Sequence, residues 1–142
     1  MASARYSVPG EIKDTADSFY RAVAKRNLRA IDSLWAHKPY AAVAGPSGSL
    51  HQGWKAVQSY WQWRLGDEQV AQPILHLTNM VCHAVGDVGW FSGTEVRVYK
   101  TGDAEQREEV RVTCVLERAP EGWEIVSYHA SLASPPALAE VS

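Results

Sequence analysis

A chain of 142 residues with 46% hydrophobic composition is long enough for one domain with a buried core and short for two. A formal net charge of -2 gives no basic field, which argues against nucleic acid and against an anionic membrane surface as partners. No apolar run approaches the length of a bilayer span, and Met1 to Tyr6 lacks the apolar centre of a secretory signal, so a soluble cytoplasmic protein is expected.

Residues 1–10 read as an irregular arm ending at Pro9-Gly10. From Glu11 onward Ile12, Ala16, Phe19 and Val23 recur at helical spacing with charged residues between them, the pattern of an amphipathic helix. Asn27 allows a break, and Leu28, Ile31, Leu34 and Trp35 mark a second, shorter helix, with Asp32 facing out or into a cleft. Tyr40 to Ala44 reads as a short edge strand, cut off by the loop Gly45-Pro46-Ser47-Gly48-Ser49. Gly53 then opens a third helix, in which Trp54, Val57, Trp61 and Leu65 recur at spacings of three and four before Gly66 ends it.

From Gln72 the reading is strand throughout. Pro73 to His83 is assigned on residue type, because Ile74, Leu75, Leu77, Met80 and Val81 do not all fall on one face. After the turn signal Gly86-Asp87, Trp90, Ser92, Thr94, Val96 and Val98 alternate with Phe91, Gly93, Glu95, Arg97 and Tyr99. Beyond a second turn at Gly102-Asp103, Val110, Val112, Cys114 and Leu116 alternate with Arg111, Thr113, Val115 and Glu117, a half-buried strand. Pro120 and Gly122 set a tight reversal. On the returning strand alternation groups Trp123, Ile125, Ser127 and His129 on one face and Glu124, Val126 and Tyr128 on the other. Pro135-Pro136 ends regular structure, leaving a tail over residues 135–142. Helices followed by strands argue for an α+β fold, with the helices packed on one face of an antiparallel sheet.

Arg111 to Arg118, then Gly122-Trp123-Glu124-Ile125-Val126 and His129-Ala130-Ser131, resembles the closing hairpin of the SnoaL-like, NTF2-like superfamily. Leu50-His51-Gln52-Gly53-Trp54-Lys55-Ala56-Val57 resembles the loop and Gly-Trp helix start of the same superfamily. The resemblance, which includes ketosteroid isomerases, polyketide cyclases and scytalone dehydratase, implies one SnoaL-like domain over residues 1–142. It implies a cone-shaped fold with three N-terminal helices on a curved antiparallel sheet and a hydrophobic pocket at the mouth. Carried over by residue, it nominates Tyr20, Trp35, Tyr40, Trp61, Thr94 and Thr113 as pocket lining and His129 as the catalytic candidate. The implied function is binding of a small hydrophobic molecule, extending to acid–base enzymology without a cofactor of the isomerase, cyclase, dehydratase or hydrolase type. The alternative is a non-catalytic association module, and in either case homodimerisation is expected through the outer sheet face, which would carry Tyr99, Val112, Leu116 or Tyr128.

His129 suits proton transfer because imidazole titrates near neutrality and its assigned face is otherwise apolar. The competing reading is a hydrogen-bonded histidine at a strand end, since no orienting partner is visible. Asp32 and Glu95 are the carboxylates within reach of such a role, but Glu95 shares a face with Arg97 and reads as part of a solvated charged surface. The ketosteroid isomerase arrangement needs a carboxylate base, a tyrosine and a protonated acid; Tyr20 suits the phenol, yet Val110 to Leu116 carries no acidic residue for the third role. On a regular strand His76 and His83 face opposite ways, so only one of them can join His129. The dispersed histidines, with Cys82 and Cys114 as lone strand cysteines, argue against a metal site, and no cofactor is expected. Trp54, Trp61, Trp63 and Trp90 suit either a small core or stacking on a flat ligand. Enzyme and association module are separated by one observation: whether two titratable groups converge on a water-poor pocket.

Overall fold

The computed structural model describes residues 8–46, 48–69 and 72–133. The helical spacing of apolar residues produces α1, Val8–Ala24, which buries Ile12, Ala16 and Phe19 almost completely. The arm expected over residues 1–10 lies mostly outside the described residues, but Val8, Pro9 and Gly10 already belong to α1. The chain turns through Arg26, which sits at φ 52, and Asn27 caps the next helix by accepting the Ala30 amide at 3.1 Å. That helix, α2, runs Leu28–Leu34 and delivers Trp35 into the core directly behind it.

Two short strands follow, β1 at Ala42–Ala44 and β2 at Leu50–Gln52, before α3 at Trp54–Gly66. The third helix is therefore not N-terminal to the strands. Four long strands complete the chain: β3 Ile74–Val85, β4 Val88–Thr101, β5 Ala104–Ala119 and β6 Gly122–Leu132. The six strands form one sheet in the order β2-β1-β6-β5-β4-β3. Pairing is antiparallel except where β1 runs parallel to β6, so the sheet is mixed and β1 lies inside it, with β2 at the edge.

The β5–β6 reversal forms where the sequence places it, with Ala119 paired to Gly122 across Pro120-Glu121 and Gly122 at φ 136. On β5 the expected alternation holds: Val110, Val112, Cys114 and Leu116 are buried against the helices. Gly89 on β4 leaves room for α1, since a Cβ there would lie 2.4 Å from Ile12 Cδ1.

Two strand irregularities change the expected faces. On β6, Leu116 pairs with Ile125 while Val115 pairs with Ser127, so Val126 is an extra residue. Trp123 and Ile125 point into the core, but past Val126 the inward residues are Tyr128 and Ala130. His129 is thereby turned to the exposed outer face, and the reading that grouped it with Trp123 and Ile125 is corrected. On β3 the register shifts between Thr78 and Val81, where Asn79 adopts φ 57. Leu75 packs inward before the shift and Met80, Cys82 and Ala84 after it, which places both His76 and His83 on the exposed side. The outer face also differs in content: Val112, Leu116 and Tyr128 are core residues, Tyr99 shares the side of Glu95 and Arg97, and the exposed apolar residues of β3 and β4 include Ile74, Val81, Val85 and Val88.

Candidate functional site

The alternation of β4 carries Phe91 and Glu95 to the same inward side, and Glu95 is 1% exposed. A carboxylate in that position requires partners for both oxygens. Arg97, two residues along on the same face, donates to Oε1 from Nε at 3.0 Å and from Nη2 at 2.7 Å. Oε2 accepts the Tyr20 hydroxyl of α1 at 2.5 Å and the Tyr128 hydroxyl of β6 at 2.7 Å. Arg97 Nη2 also donates to the Tyr128 oxygen at 3.3 Å. The bulge at Val126 and the α1 face that carries Tyr20 thus bring three elements together on one carboxylate.

A carboxylate offers about four acceptor directions, and here four donors fill them. Burial pushes the Tyr20 and Tyr128 hydroxyls up, and the negative charge of Glu95 adds to the effect, so both remain neutral donors. Burial alone would lower the Arg97 guanidinium, but Tyr128 and Glu95 outweigh it and the group is raised. The cavity beside this cluster, bordered by Phe19, Trp61, Arg64 and Leu75 among others, is only about 10 Å³. That is the scale of a single water, not of a substrate.

Space for a ligand lies next door. A cleft of about 560 Å³ runs between the loop carrying Gly45, Pro46, Gly48 and Ser49, the α3 residues Tyr60, Trp63 and Arg64, and Arg97, Tyr99 and Glu108 of β4 and β5. Its walls are mainly apolar. Burial raises the Tyr60 hydroxyl against the opposing influence of Arg64 and Arg97. Glu108 stands at the rim, 4.0 Å from Arg97 Nη1 and within 3.4 Å of the Tyr99 hydroxyl. Tyr60, Arg64 and Arg97 border both the cleft and the small cavity, forming the partition between them. Among the described residues no three His, Cys, Asp or Glu side chains gather where they could hold a metal ion.

The residues nominated from sequence are dispersed. Tyr20 and Trp61 border the small cavity, Tyr20 as a direct partner of Glu95. Trp35 is buried core, 6.3 Å from Trp61 by ring centroids. Tyr40 is 56% exposed and donates to Glu117 at 2.7 Å. Thr113 is exposed and pairs with His129 across β5 and β6, while Thr94 lies between the inward-facing Gly93 and Glu95 and is directed to the other side. Asp32 accepts the Gln58 amide at 3.1 Å. The cluster residues were misassigned from sequence: Glu95 and Arg97, read as a solvated charged face, are buried, and Tyr128, placed on the outer face, points inward. Glu95 had a readable signal, since Phe91 and Gly93 share its face; Tyr128 had none, because the bulge decides its direction.

No match is found among curated proteins. Solved structures are similar throughout the chain. A candidate dehydratase of the NTF2-like family from Streptomyces avermitilis aligns with TM-score 0.80 at 19% identity, covering 92% of this chain and 99% of its own. An NTF2-like protein of unknown function from Pseudomonas putida aligns at 0.78 and 20% identity, over 92% of this chain and 89% of that one. The CaMKII hub of S. rosetta aligns at 0.74 and 17% identity, over 88% and 96% respectively. At these identities the likeness establishes the fold. The family model of the SnoaL-like domain matches residues 12–135, nearly the whole chain, and the protein belongs to that family.

Proposed function

We propose that this SnoaL-like domain binds a small, largely apolar molecule in the cleft between α3, the loop residues Gly45, Pro46, Gly48 and Ser49, and the β4–β5 end. The observation that carries the reading is a separation of charge from space. The Glu95 cluster is saturated by its own four donors and adjoins about 10 Å³, while the neighbouring cleft offers about 560 Å³, within the range of small-molecule sites. Glu95 then acts as a positioning group that holds Arg97 at the cleft floor. A general base needs a free acceptor direction, which Glu95 does not offer, and His129 stands exposed on the opposite sheet face. Binding without acid–base turnover at Glu95 is the function this geometry supports best.

The test is a fragment screen read by amide and indole chemical shifts. Binders should move signals of Tyr60, Trp63, Arg97 and Tyr99. Shifts confined to the outer sheet face around His129, or none with any fragment, would remove the proposal.

A second reading rests on a different surface. Val81, Val85 and Val88 on β3 and β4 are exposed on the outer face of the sheet, at 61, 65 and 47%. An apolar strip on a sheet favours burial against a second copy, and a similar structure is a hub domain. Homodimerisation through this face is compatible with ligand binding on the other.

A further inference from the structure

The partition between the cleft and the small cavity carries a charge that no carboxylate among the described residues answers. Arg64 on α3 is 9% exposed, and its Nη1 is buried without a hydrogen-bond acceptor. Trp61, three residues earlier and on the same helix face, has its ring Nε1 buried in the same condition. Both groups are donors only. Arg97, the other cation of the partition, is neutralised by Glu95 at 2.7 Å and has Glu108 at 4.0 Å. Among the described residues Arg64 has no carboxylate within salt-bridge distance, and Glu108 is the one acidic side chain lining the cleft. Tyr60 is a hydrogen-bonding neighbour of Arg64, but a buried guanidinium with an unpaired Nη1 and no counter-charge still carries a desolvation cost that a bound anion would offset.

We infer that the cleft takes an organic carboxylate, its anionic head on the Arg64 guanidinium and its apolar body against Tyr60, Trp63 and Leu132. The inference rests on the cleft being a ligand site. Guanidinium and carboxylate match as two parallel N–H···O bonds, and Arg64 presents a single uncompensated positive charge. One charge suits a monoanion. A phosphate monoester dianion would meet Glu108 and the Glu95-bound Arg97 with its second charge unanswered. The volume accommodates a head group and a ring or a medium chain.

The experiment compares 4-phenylbutyrate with its neutral counterpart 4-phenyl-1-butanol and with inorganic phosphate, by calorimetric titration of the full chain and of Arg64→Met and Arg64→Lys. The expected result is binding of the carboxylate at least tenfold tighter than the alcohol, weakening as salt rises, with phosphate not competing. Arg64→Met should lose that preference, and Arg64→Lys should retain part of it; if the methionine variant does not fold, the lysine variant and the salt dependence carry the comparison. Equal binding of acid and alcohol, or an unchanged preference in Arg64→Met, overturns the carboxylate assignment and leaves the cleft standing as a neutral-ligand site. Binding of neither compound, with fragments failing to move Tyr60 or Trp63 signals, overturns both readings and leaves Arg64 and Trp61 as donors to buried water only.

Discussion

Glu95 determines how much of the interior is polar. Removing it leaves the Arg97 guanidinium buried with its main counter-ion gone and strips the acceptor from Tyr20 and Tyr128. Breaking a buried pair from one side costs roughly 3–5 kcal/mol. Glu95→Ala is therefore expected to lower stability by about that amount in denaturant titration, whereas Glu95→Leu combined with Arg97→Met should recover more than half of the loss. A double variant no more stable than the single one would show that the pair does not act as a unit. The sequence offered half of this arrangement. Glu95 and Arg97 fall on one face of β4 by simple alternation, but two charges two residues apart on a strand look the same whether that face meets water or a core. What distinguishes them is Phe91 on the same face and Tyr20 arriving from 75 residues away, and the second fact is tertiary.

At the scale of elements, all three helices and the long strands were legible because each rests on a periodic apolar pattern that survives into the fold: Ile12, Phe19, Val57, Trp61 and Cys114 are all buried as their spacing demands. The facing of β3 and β6 was not legible, for a single physical reason. A strand keeps its faces by counting in twos, and one extra residue inverts everything after it. Asn79 at φ 57 and Val126 are such residues. The short β2 was missed because a three-residue edge strand has no period to read. The Asn79 conformation makes a specific prediction, since left-handed backbone is tolerated by Asn and Gly and resisted by β-branched residues. Asn79→Val should lower stability by about 1–2 kcal/mol, and Asn79→Gly should leave it nearly unchanged. Equal thermal midpoints for the two variants would mean that the shift between Thr78 and Val81 does not depend on this conformation.

For the molecule as a whole, the two sides of the sheet divide the work. One side is covered by α1, α2 and α3 and holds the Glu95 cluster beside the cleft; the other exposes Val81, Val85 and Val88. Sedimentation at rising concentration should show a dimer that Val81→Lys with Val88→Lys converts to a folded monomer, because paired lysines would face like charges across a twofold interface. A wild-type monomer at high concentration would remove that reading while leaving the cleft untouched.

The extra residue in β6 has a reach beyond this one chain. Tyr128 and His129 are neighbours in sequence, and which of them meets Glu95 is decided by whether Val126 is counted in the β5–β6 ladder, not by which residues they are. Were Val126 paired in the ladder instead of standing extra, alternation would run on unbroken and offer the His129 imidazole to the interior in place of the Tyr128 phenol, whereas deleting Val126 would straighten the strand and leave Tyr128 inward. In such a sheet an inventory of functional groups can be exchanged by gaining or losing a bulge alone, so relatives with the same residues in this hairpin need not share an interior, and relatives with different residues can.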